Sequence, residues 1–471
     1  MEHTRQYKAA ELKCLTELET NVVNAQVWFD LGEAFAHQGK GQAAKLAYTR
    51  AWILDPEAKW ADTLFPTLSS IPKGEVPEAL TSLLQVQKVS VAAAILVKNE
   101  ARSILRCLHS IKDAVDEIVV IDTGSTDGTI DIVNNFSHPH LQLIAHEWQD
   151  DFAKARNAGL SAVKSDWVIW LDADEYLHEE DVAVVREAAG LYASLNEVLI
   201  LRPVVINLLA NHQTSTSYDT SRMFPTHSGL QFWGRIHEQI GSASGDATRF
   251  LRPAVRIRLY HDGYLPEIAA QKGKQQRNLR LLEKMVQDTP DDPAAWLFYG
   301  RETLMTGDLD AGIMRLQKAY QVGKNNLEFS RNAETLSWLI QAFIKSNQLQ
   351  QAEEICQELI AVQPDYPDGW YYQAFIRANK IQSEIMAMNS DLTHMAEMQA
   401  TYRGIVSPDG LITDWKASVL KADLARFAGN LSFAQAIYLE VYQRHPEFDG
   451  VKKQLEAIEQ QRQRLRQISF S

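Results

Sequence analysis

The sequence predicts an α/β domain with a mostly parallel sheet, flanked on both sides by regions of paired helices. Three observations predict this fold class. The middle of the chain alternates short apolar runs with segments of helical periodicity, which is the pattern of βαβ units. The segments before and after it repeat aromatic, small and proline residues at fixed spacing, as helical repeat proteins do. Polar clusters follow the apolar runs, where the strands of a parallel sheet would end.

The composition is that of a folded protein without a basic surface. The 471 residues are enough for two or three domains, and 45% hydrophobic with 23% charged residues is typical of globular proteins. The net charge is −13, whereas proteins that bind nucleic acid generally carry a basic face. We therefore expect no nucleic-acid partner.

The cysteines and the apolar runs indicate the compartment. Cys14, Cys107 and Cys356 are far apart and match no disulfide, metal or redox spacing. The N-terminus lacks the apolar core of a signal peptide. The most apolar run, 91–97, is far shorter than the roughly 20 residues of a membrane span. These features predict a cytoplasmic protein without a transmembrane segment.

The first predicted region, residues 1–85, contains one helical repeat. Its centre fits the tetratricopeptide pattern, whose period is about 34 residues. In that pattern small residues let two antiparallel helices approach closely, aromatic side chains fill the space between them, and a proline ends the second helix. The residues that fit are Trp28, Leu31, Gly32, Phe35, Ala44, Tyr48, Ala51 and Pro56.

The second predicted region, residues 88–265, carries the α/β pattern. Its apolar runs predict strands, and the segments between them have helical spacing. Strands are predicted over 89–97, 118–121, 141–145, 167–171 and 198–206, and helices over 101–115, 129–136 and 152–163.

The third predicted region, residues 266–471, returns to helical repeats, which stack into a superhelix with a concave face. A first copy of the tetratricopeptide spacing begins at Trp296, and a second follows about 40 residues later. A weaker copy begins at Trp370, and another surrounds Gly429. We expect these repeats to bind a protein, either the substrate or an assembly partner.

The tripeptide Asp172-Ala173-Asp174 comes directly after the apolar run 167–171. A buried strand would therefore end by projecting two carboxylates at the edge of the sheet where ligands bind. Hard cations such as Mg²⁺ and Mn²⁺ prefer oxygen ligands and often carry substrate phosphates. The tripeptide predicts a metal–diphosphate site.

The other polar clusters have uses in the same crevice. Gly124 permits a tight turn and close approach of the backbone to a ligand. Arg156 can grip a phosphate through two parallel hydrogen bonds. Asp122 or Glu100 can accept hydrogen bonds from a base or a ribose.

These motifs together resemble the inverting glycosyltransferases of family 2, which have the GT-A fold. The resemblance covers about residues 88–265 and is carried by four segments, 95–100, 122–129, 155–157 and 172–174. The segments 232–239 and 261–264 are similar to later motifs of the branch that includes the SunS-type peptide S-glycosyltransferases and the WaaE-type lipopolysaccharide-core transferases. Many family members have a second aspartate where this chain has Thr123.

The resemblance implies a nucleotide-sugar donor, with UDP as the first choice of carrier, and a peptide, protein or glycan acceptor. It implies that Mn²⁺ or Mg²⁺ neutralises the leaving diphosphate. It also implies that Glu238 is the catalytic base and that segment 241–245 closes over the substrate. The metal ligands would be Asp172, Asp174 and His261, with His237 as a competitor for the histidine position. The residues that would bind the nucleotide sugar are Val97, Asn99, Glu100, Asp122, Gly124, Arg156 and Asp172.

Two other hypotheses remain open at this point. The chain could be a binding scaffold with a degenerate catalytic domain, although Asp172, Asp174, Arg156 and Asp122 are all present. It could also be a sugar nucleotidyltransferase. Such enzymes usually carry a glycine-rich phosphate loop, and the segment 98–102 contains no glycine.

Overall fold

The structure, a computed structural model, describes residues 2–195, 197–210, 213–242, 250–263, 274–326, 329–402 and 408–467. The chain divides into two compact units, Met1–Asn332 and Ala333–Ser471. The predicted boundaries near residues 85 and 265 both fall inside the first unit and stay predictions.

The first unit begins with short helices packed in antiparallel pairs. Asn24 accepts a hydrogen bond from the Val27 amide and so starts the second helix. Where the second and third helices cross, a Cβ atom on Gly32 would lie 2.6 Å from the Tyr48 ring, so only glycine allows this approach. The helices are α1 (Glu2–Thr20), α2 (Ala25–His37), α3 (Gly41–Leu54), α4 (Ala61–Thr67) and α5 (Glu78–Leu83).

Three sheets follow in the chain. Their strands are β1 (Val91–Val97), β2 (Glu117–Asp122), β3 (Leu141–Ala145), β4 (Trp167–Asp172), β5 (Glu175–Leu177), β6 (Arg202–Leu208), β7 (Thr214–Ser217), β8 (Met223–Pro225), β9 (Gln231–Trp233), β10 (Gln239–Gly241) and β11 (Ala254–His261). The central sheet has the order β3-β2-β1-β4-β8, in which β1 to β4 are parallel and β8 is antiparallel.

The central sheet is covered by helices, because its inner strands are apolar on both faces. Gly159 lets one helix lie directly on the sheet, since a Cβ atom there would be 2.5 Å from Ile121. The helices are α6 (Ile104–Ile111), α7 (Thr129–Asn134), α8 (Phe152–Leu160) and α9 (Val182–Ala193).

The second sheet, with the order β5-β11-β6-β7, brings distant parts of the chain together. Strand β5 starts directly after Asp174, and β11 pairs with it so that His261 lies opposite Glu175. Strand β6 pairs with β11 on its other side, which places Asn207 opposite His261. The predicted strand 198–206 is found slightly later, as β6.

Three further helices complete the first unit: α10 (Lys274–Asp288), α11 (Pro293–Met305) and α12 (Leu309–Gly323). Helix α10 is held against the loop before α8, because Arg280 and Lys284 both donate to the Asp150 carboxylate at 2.7 Å. Gly300 of α11 packs on Leu316 of α12, as the repeat spacing predicts.

The second unit is helical throughout its described residues. Its helices are α13 (Asn332–Lys345), α14 (Leu349–Val362), α15 (Pro367–Thr401), α16 (Ala417–Phe427), α17 (Leu431–Arg444) and α18 (Asp449–Gln467). The repeat predicted from Trp370 is instead one helix of 35 residues, α15, in which Trp370 is 52% exposed. No glycine or proline follows Gly369 in this helix to end its first half. Of the helices that the structure describes, none has the length and apolar character needed to cross a membrane.

Candidate active site

A cavity of about 1110 Å³ lies at the carboxyl ends of β1 and β4 in the first unit. This is the edge at which open α/β sheets bind ligands. Most of the residues predicted to form the site line this cavity: Val97, Asn99, Glu100, Arg156, Asp172, Asp174, His237, Glu238 and His261. The cavity lining does not include Asp122 and Gly124.

Asp122 is used inside its own loop. Its carboxylate accepts hydrogen bonds from the Gly124 amide at 2.9 Å and from the Ser125 amide at 3.1 Å. Gly124 has a φ of 96°, which favours glycine. Thr123 lines the cavity in their place. Nucleotide contacts by Asp122 and Gly124 stay predictions.

The loops that follow β1 and β2 are tied to each other. Asn99, with a φ of 55°, donates its amide to Ser125 Oγ at 2.9 Å and accepts from the Thr126 amide through Oδ1 at 2.8 Å. The Glu100 carboxylate accepts from Ser103 Oγ at 2.8 Å. The position of Asn99 is thus set by hydrogen bonds to the loop after β2, 26 and 27 residues away in sequence.

An ion-pair network of three carboxylates and two guanidinium groups forms the floor of the cavity, and all of its members except Glu175 line the cavity directly. Arg156 donates from Nε to Glu238 Oε1 at 2.5 Å and from Nη2 to Asp172 Oδ1 at 2.9 Å. Arg222 donates from Nη2 to Asp172 Oδ2 at 2.9 Å and to Glu175 Oε1 at 3.1 Å. Arg156 Nη1 and Arg222 Nε are buried and have no hydrogen-bond partner among the described residues. These two donors are available to a ligand or to water.

Two carboxyl groups of the network, Asp172 and Glu175, have pKa values shifted in opposite directions. Burial opposes ionisation of Asp172, but Arg222 and Arg156 hold the pKa of that carboxyl well below its usual range. Burial, together with the charge of Asp172, raises the pKa of Glu175 to about 7. Asp172 is therefore a fixed anion, and both of its oxygens are already bonded to arginine.

Asp174 and His261 form a second pair beside the network. His261 Nε2 lies 3.6 Å from Asp174 Oδ1, and His261 Nδ1 lies 2.9 Å from Asn207 Oδ1. Burial lowers the pKa of His261, but the Asp174 carboxylate, which accepts from the ring, and the charges of Glu175 and Asp172 raise it above its usual value. A Cβ atom on Gly263 would lie 2.4 Å from His261 Nε2, so glycine is needed beside this pair.

This pair fits part of a divalent-cation site. Two ligands at right angles around Mg²⁺ or Mn²⁺ are about 3 Å apart, close to the spacing of Asp174 and His261. Within the described ranges no group of three or more His, Cys, Asp or Glu side chains is arranged to hold a metal. The cation would complete its shell with substrate phosphate and water. Because the oxygens of Asp172 are paired with arginine, the arrangement favours the network over metal ligation for that residue.

His237, the competing histidine, faces another partner. Its Nε2 lies 3.5 Å from Glu302 Oε1 on α11, and its ring lies 4.8 Å from the Phe298 ring. The nearby His237 ring lowers the pKa of Glu302. The geometry therefore pairs His261, and not His237, with Asp174.

Several cavity residues have no signal in the sequence. Arg222 belongs to no motif and reaches the network only because β8 pairs with β4, where the Trp170 amide donates to the Arg222 carbonyl at 2.8 Å. Trp148 and Phe152, in edge-to-face contact at 4.8 Å, line the cavity from the start of α8. Residues 243–245 of the predicted closing loop, and Tyr264 of the last motif, lie outside the described residues.

Residues 93–197 match the family model described as Glycosyl transferase family 2. The SPbeta prophage-derived glycosyltransferase SunS of Bacillus subtilis is 30% identical over 231 residues, which cover 49% of this chain and 53% of that protein. A TPR repeat-containing protein of Synechococcus elongatus is 28% identical over 243 residues, which cover 50% of this chain and 57% of that protein. The chain spans about half the length of these curated relatives. The crystal structure of S. aureus TarS 1-349 aligns with a TM-score of 0.31 and 12% identity, covering 62% of this chain and 92% of that chain.

Proposed function

We propose that this chain, whose residues 93–197 match the model of family 2 glycosyltransferases, transfers a sugar, with inversion, from a nucleotide-sugar donor to an acceptor. One observation carries the proposal. The Asp174–His261 pair and Glu238 line the same cavity, at the sheet edge where this fold class binds ligands. The cavity therefore combines a cation site with a carboxylate that can accept a proton.

The donor binds along the loops that follow β1 and β2. Asn99, Glu100 and Thr123 line that side and offer hydrogen-bonding groups to the nucleoside. Arg156 contributes a buried donor, Nη1, to the substrate. UDP is the first carrier to test, since the family resemblance favours it.

Asp174 and His261 would hold the cation, and the histidine nitrogen favours Mn²⁺ over Mg²⁺, which prefers oxygen ligands. When bound, such a cation neutralises charge on a leaving diphosphate. Asp174 would supply carboxylate oxygen to the cation, and Asn207, whose Oδ1 lies 2.9 Å from His261 Nδ1, holds the ring in its orientation.

Glu238 is the base in this proposal. An acceptor hydroxyl oxygen forms a bond to the anomeric carbon while the bond from that carbon to the phosphate oxygen breaks, and Glu238 takes the hydroxyl proton. The products are the glycosylated acceptor and the nucleoside diphosphate. Arg156 fixes the Glu238 side chain through its 2.5 Å contact and links it to Asp172.

The acceptor in this proposal is a peptide, a protein or a glycan, and the helical repeats recruit it or a partner protein. The TPR repeat-containing relative supports this part, because repeats of this kind present extended concave surfaces. A repeat scaffold without catalytic activity is the second candidate function, and the following experiment separates the two.

The test is thermal unfolding with UDP, GDP, CMP and dTDP, each with and without Mn²⁺. A ligand at about 100 times its dissociation constant stabilises by roughly 2.7 kcal/mol, or about 5–10 °C for a domain of this size. We expect a selective shift that requires Mn²⁺ and is lost in Asp174→Asn. A shift that survives in Asp174→Asn would remove the metal assignment, and no shift with any nucleotide would favour the scaffold.

Product analysis separates the transferase from a nucleotidyltransferase. Incubation with a sugar nucleotide and an acceptor should release a nucleoside diphosphate. Release of pyrophosphate from a nucleoside triphosphate and a sugar phosphate would overturn the proposal.

A further inference from the structure

Helix α10, the first described helix after the sheets, forms one wall of the catalytic cavity. Lys274, Arg277, Asn278 and Arg280 all line the cavity from this helix. Helix α10 belongs to the same compact unit as the central sheet. The cavity lining therefore includes three cationic side chains from this helix, in addition to the carboxylates Asp172, Asp174 and Glu238.

Arg277 is only partly used by the protein. Its guanidinium stands 5.3 Å from the Phe152 ring centroid, and Nη2 donates to Asn278 Oδ1 at 3.1 Å. Its Nε atom is buried and has no hydrogen-bond partner in the part of the chain that the structure describes. A planar guanidinium held over an aromatic ring with a buried, unpaired donor is suited to bind an oxyanion.

A diphosphate bound in this cavity would need a positive charge beyond those of Arg156 and Arg222. The two guanidinium groups of the floor are shared among Asp172, Glu175 and Glu238, so the network has no positive charge to spare. A nucleoside diphosphate brings about two to three negative charges at neutral pH. A single divalent cation at Asp174 would not balance all of the diphosphate charge, so cationic side chains of the cavity lining would balance the remainder.

We propose that Arg277 binds an oxygen of the second (β) phosphate of the nucleotide donor, so that helix α10 is part of the catalytic site. The inference rests on the proposed function, because it takes the nucleotide sugar as the ligand. It assigns the helical region a direct contact with the donor, in addition to any recruitment of acceptors.

Arg280 provides a matched control on the same helix. It also lines the cavity, but its Nη2 donates to Asp150 Oδ1 at 2.7 Å and so ties α10 to the loop before α8. Arg277→Gln and Arg280→Gln remove the same charge from the same wall. The two arginines differ in that Arg280 is paired with the Asp150 carboxylate, whereas Arg277, among the described residues, donates only to the Asn278 amide oxygen.

The experiment is isothermal titration with UDP, GDP and dTDP in Mn²⁺, each beside its monophosphate, on the full chain. The variants are Arg277→Gln, Arg277→Lys and Arg280→Gln. A charged hydrogen bond to a phosphate corresponds to about 10- to 100-fold in affinity. We expect Arg277→Gln to lose that factor for the diphosphate while the monophosphate is unaffected, and Arg277→Lys to retain part of it. Arg280→Gln, which removes an ion pair that holds α10, should keep the preference for the diphosphate over the monophosphate.

The outcomes distinguish this inference from the proposed function. If the wild-type chain binds a diphosphate with Mn²⁺ and Arg277→Gln keeps the full preference over the monophosphate, the inference is wrong and the proposed function stands. If the wild-type chain binds none of the nucleotides, both are wrong. Equal losses of both nucleotides in a destabilised Arg277→Gln would assign Arg277 a structural role and also overturn the inference.

Discussion

Replacing Gly263 by alanine tests the Asp174–His261 pair without removing either side chain. The new Cβ atom would lie 2.4 Å from His261 Nε2 and 2.8 Å from Asp174 Oδ2, whereas an ordinary contact begins at 3.4 Å. His261 Nε2 must therefore move by about 1 Å, against its contact with Asn207 on the other side of the ring. Metal–ligand distances tolerate deviations of only about 0.2 Å.

From this displacement we expect Gly263→Ala to lose about 10- to 100-fold in Mn²⁺-dependent nucleotide affinity, which corresponds to about 1.4–2.7 kcal/mol. The overpacked contact should also lower the free energy of unfolding by about 1–3 kcal/mol. The assay is calorimetric titration of UDP in Mn²⁺ and in EDTA, with thermal unfolding of the unliganded protein beside it.

Gly128→Ala is the control, because a Cβ atom there meets only Ala101 at 4.0 Å and the backbone φ of −77° suits alanine. It should keep the Mn²⁺ dependence. A folded Gly263→Ala with Mn²⁺-dependent affinity within about twofold of wild type would refute the reasoning that these two side chains hold the cation. If Gly263→Ala does not fold, Asn207→Ala loosens the His261 ring more gently and should weaken the same affinity about 10-fold.

Two further substitutions test the floor of the cavity. Glu238→Gln should keep nucleotide affinity but slow transfer to a hydroxyl acceptor by about 10²–10⁴, measured as kcat; an unchanged kcat would move the base elsewhere. A thiol acceptor ionises more easily and should be less affected. Arg222→Met leaves Asp172 and Glu175 without their shared partner and should lower the free energy of unfolding by about 3–5 kcal/mol in a urea titration. Adding Glu175→Gln to Arg222→Met should restore part of the lost free energy of unfolding. If the effects of the two substitutions on that free energy simply add, the two residues do not interact and the network is refuted.

The strands that carry the site were predictable because burial on both faces makes each one a continuous apolar run. The predicted strand 89–97 contains β1, which starts two residues later, and 167–171 differs from β4 by one residue. The helix predicted over 101–115 is shorter, because the Ala101 amide is drawn to Asp127 Oδ2 of the next loop and the helix begins at Ile104. The periodicity of residues 101–115 cannot predict this contact, because Asp127 lies outside that segment.

The partners within the site were not predictable, since they depend on contacts between distant segments. The tripeptide predicts Asp172 as a metal ligand from residue type alone, whereas its partners Arg156 and Arg222 come from α8 and from the residue before β8. The same holds for His237, whose partner Glu302 lies on α11. Residue type predicted which side chains could act, and only the fold determines which of them meet.

Because β5 pairs with β11, the two halves of the Asp174–His261 pair are synthesised at different times. Asp174 leaves the ribosome long before His261, and Gly263 and Arg277 come later still. A nascent chain that has emerged only through β10 can fold its parallel strands but has no histidine opposite Glu175. Under the proposed function, metal-dependent donor binding would be confined to chains in which β11 has been translated, so that a nascent chain without this strand would not hold a sugar donor.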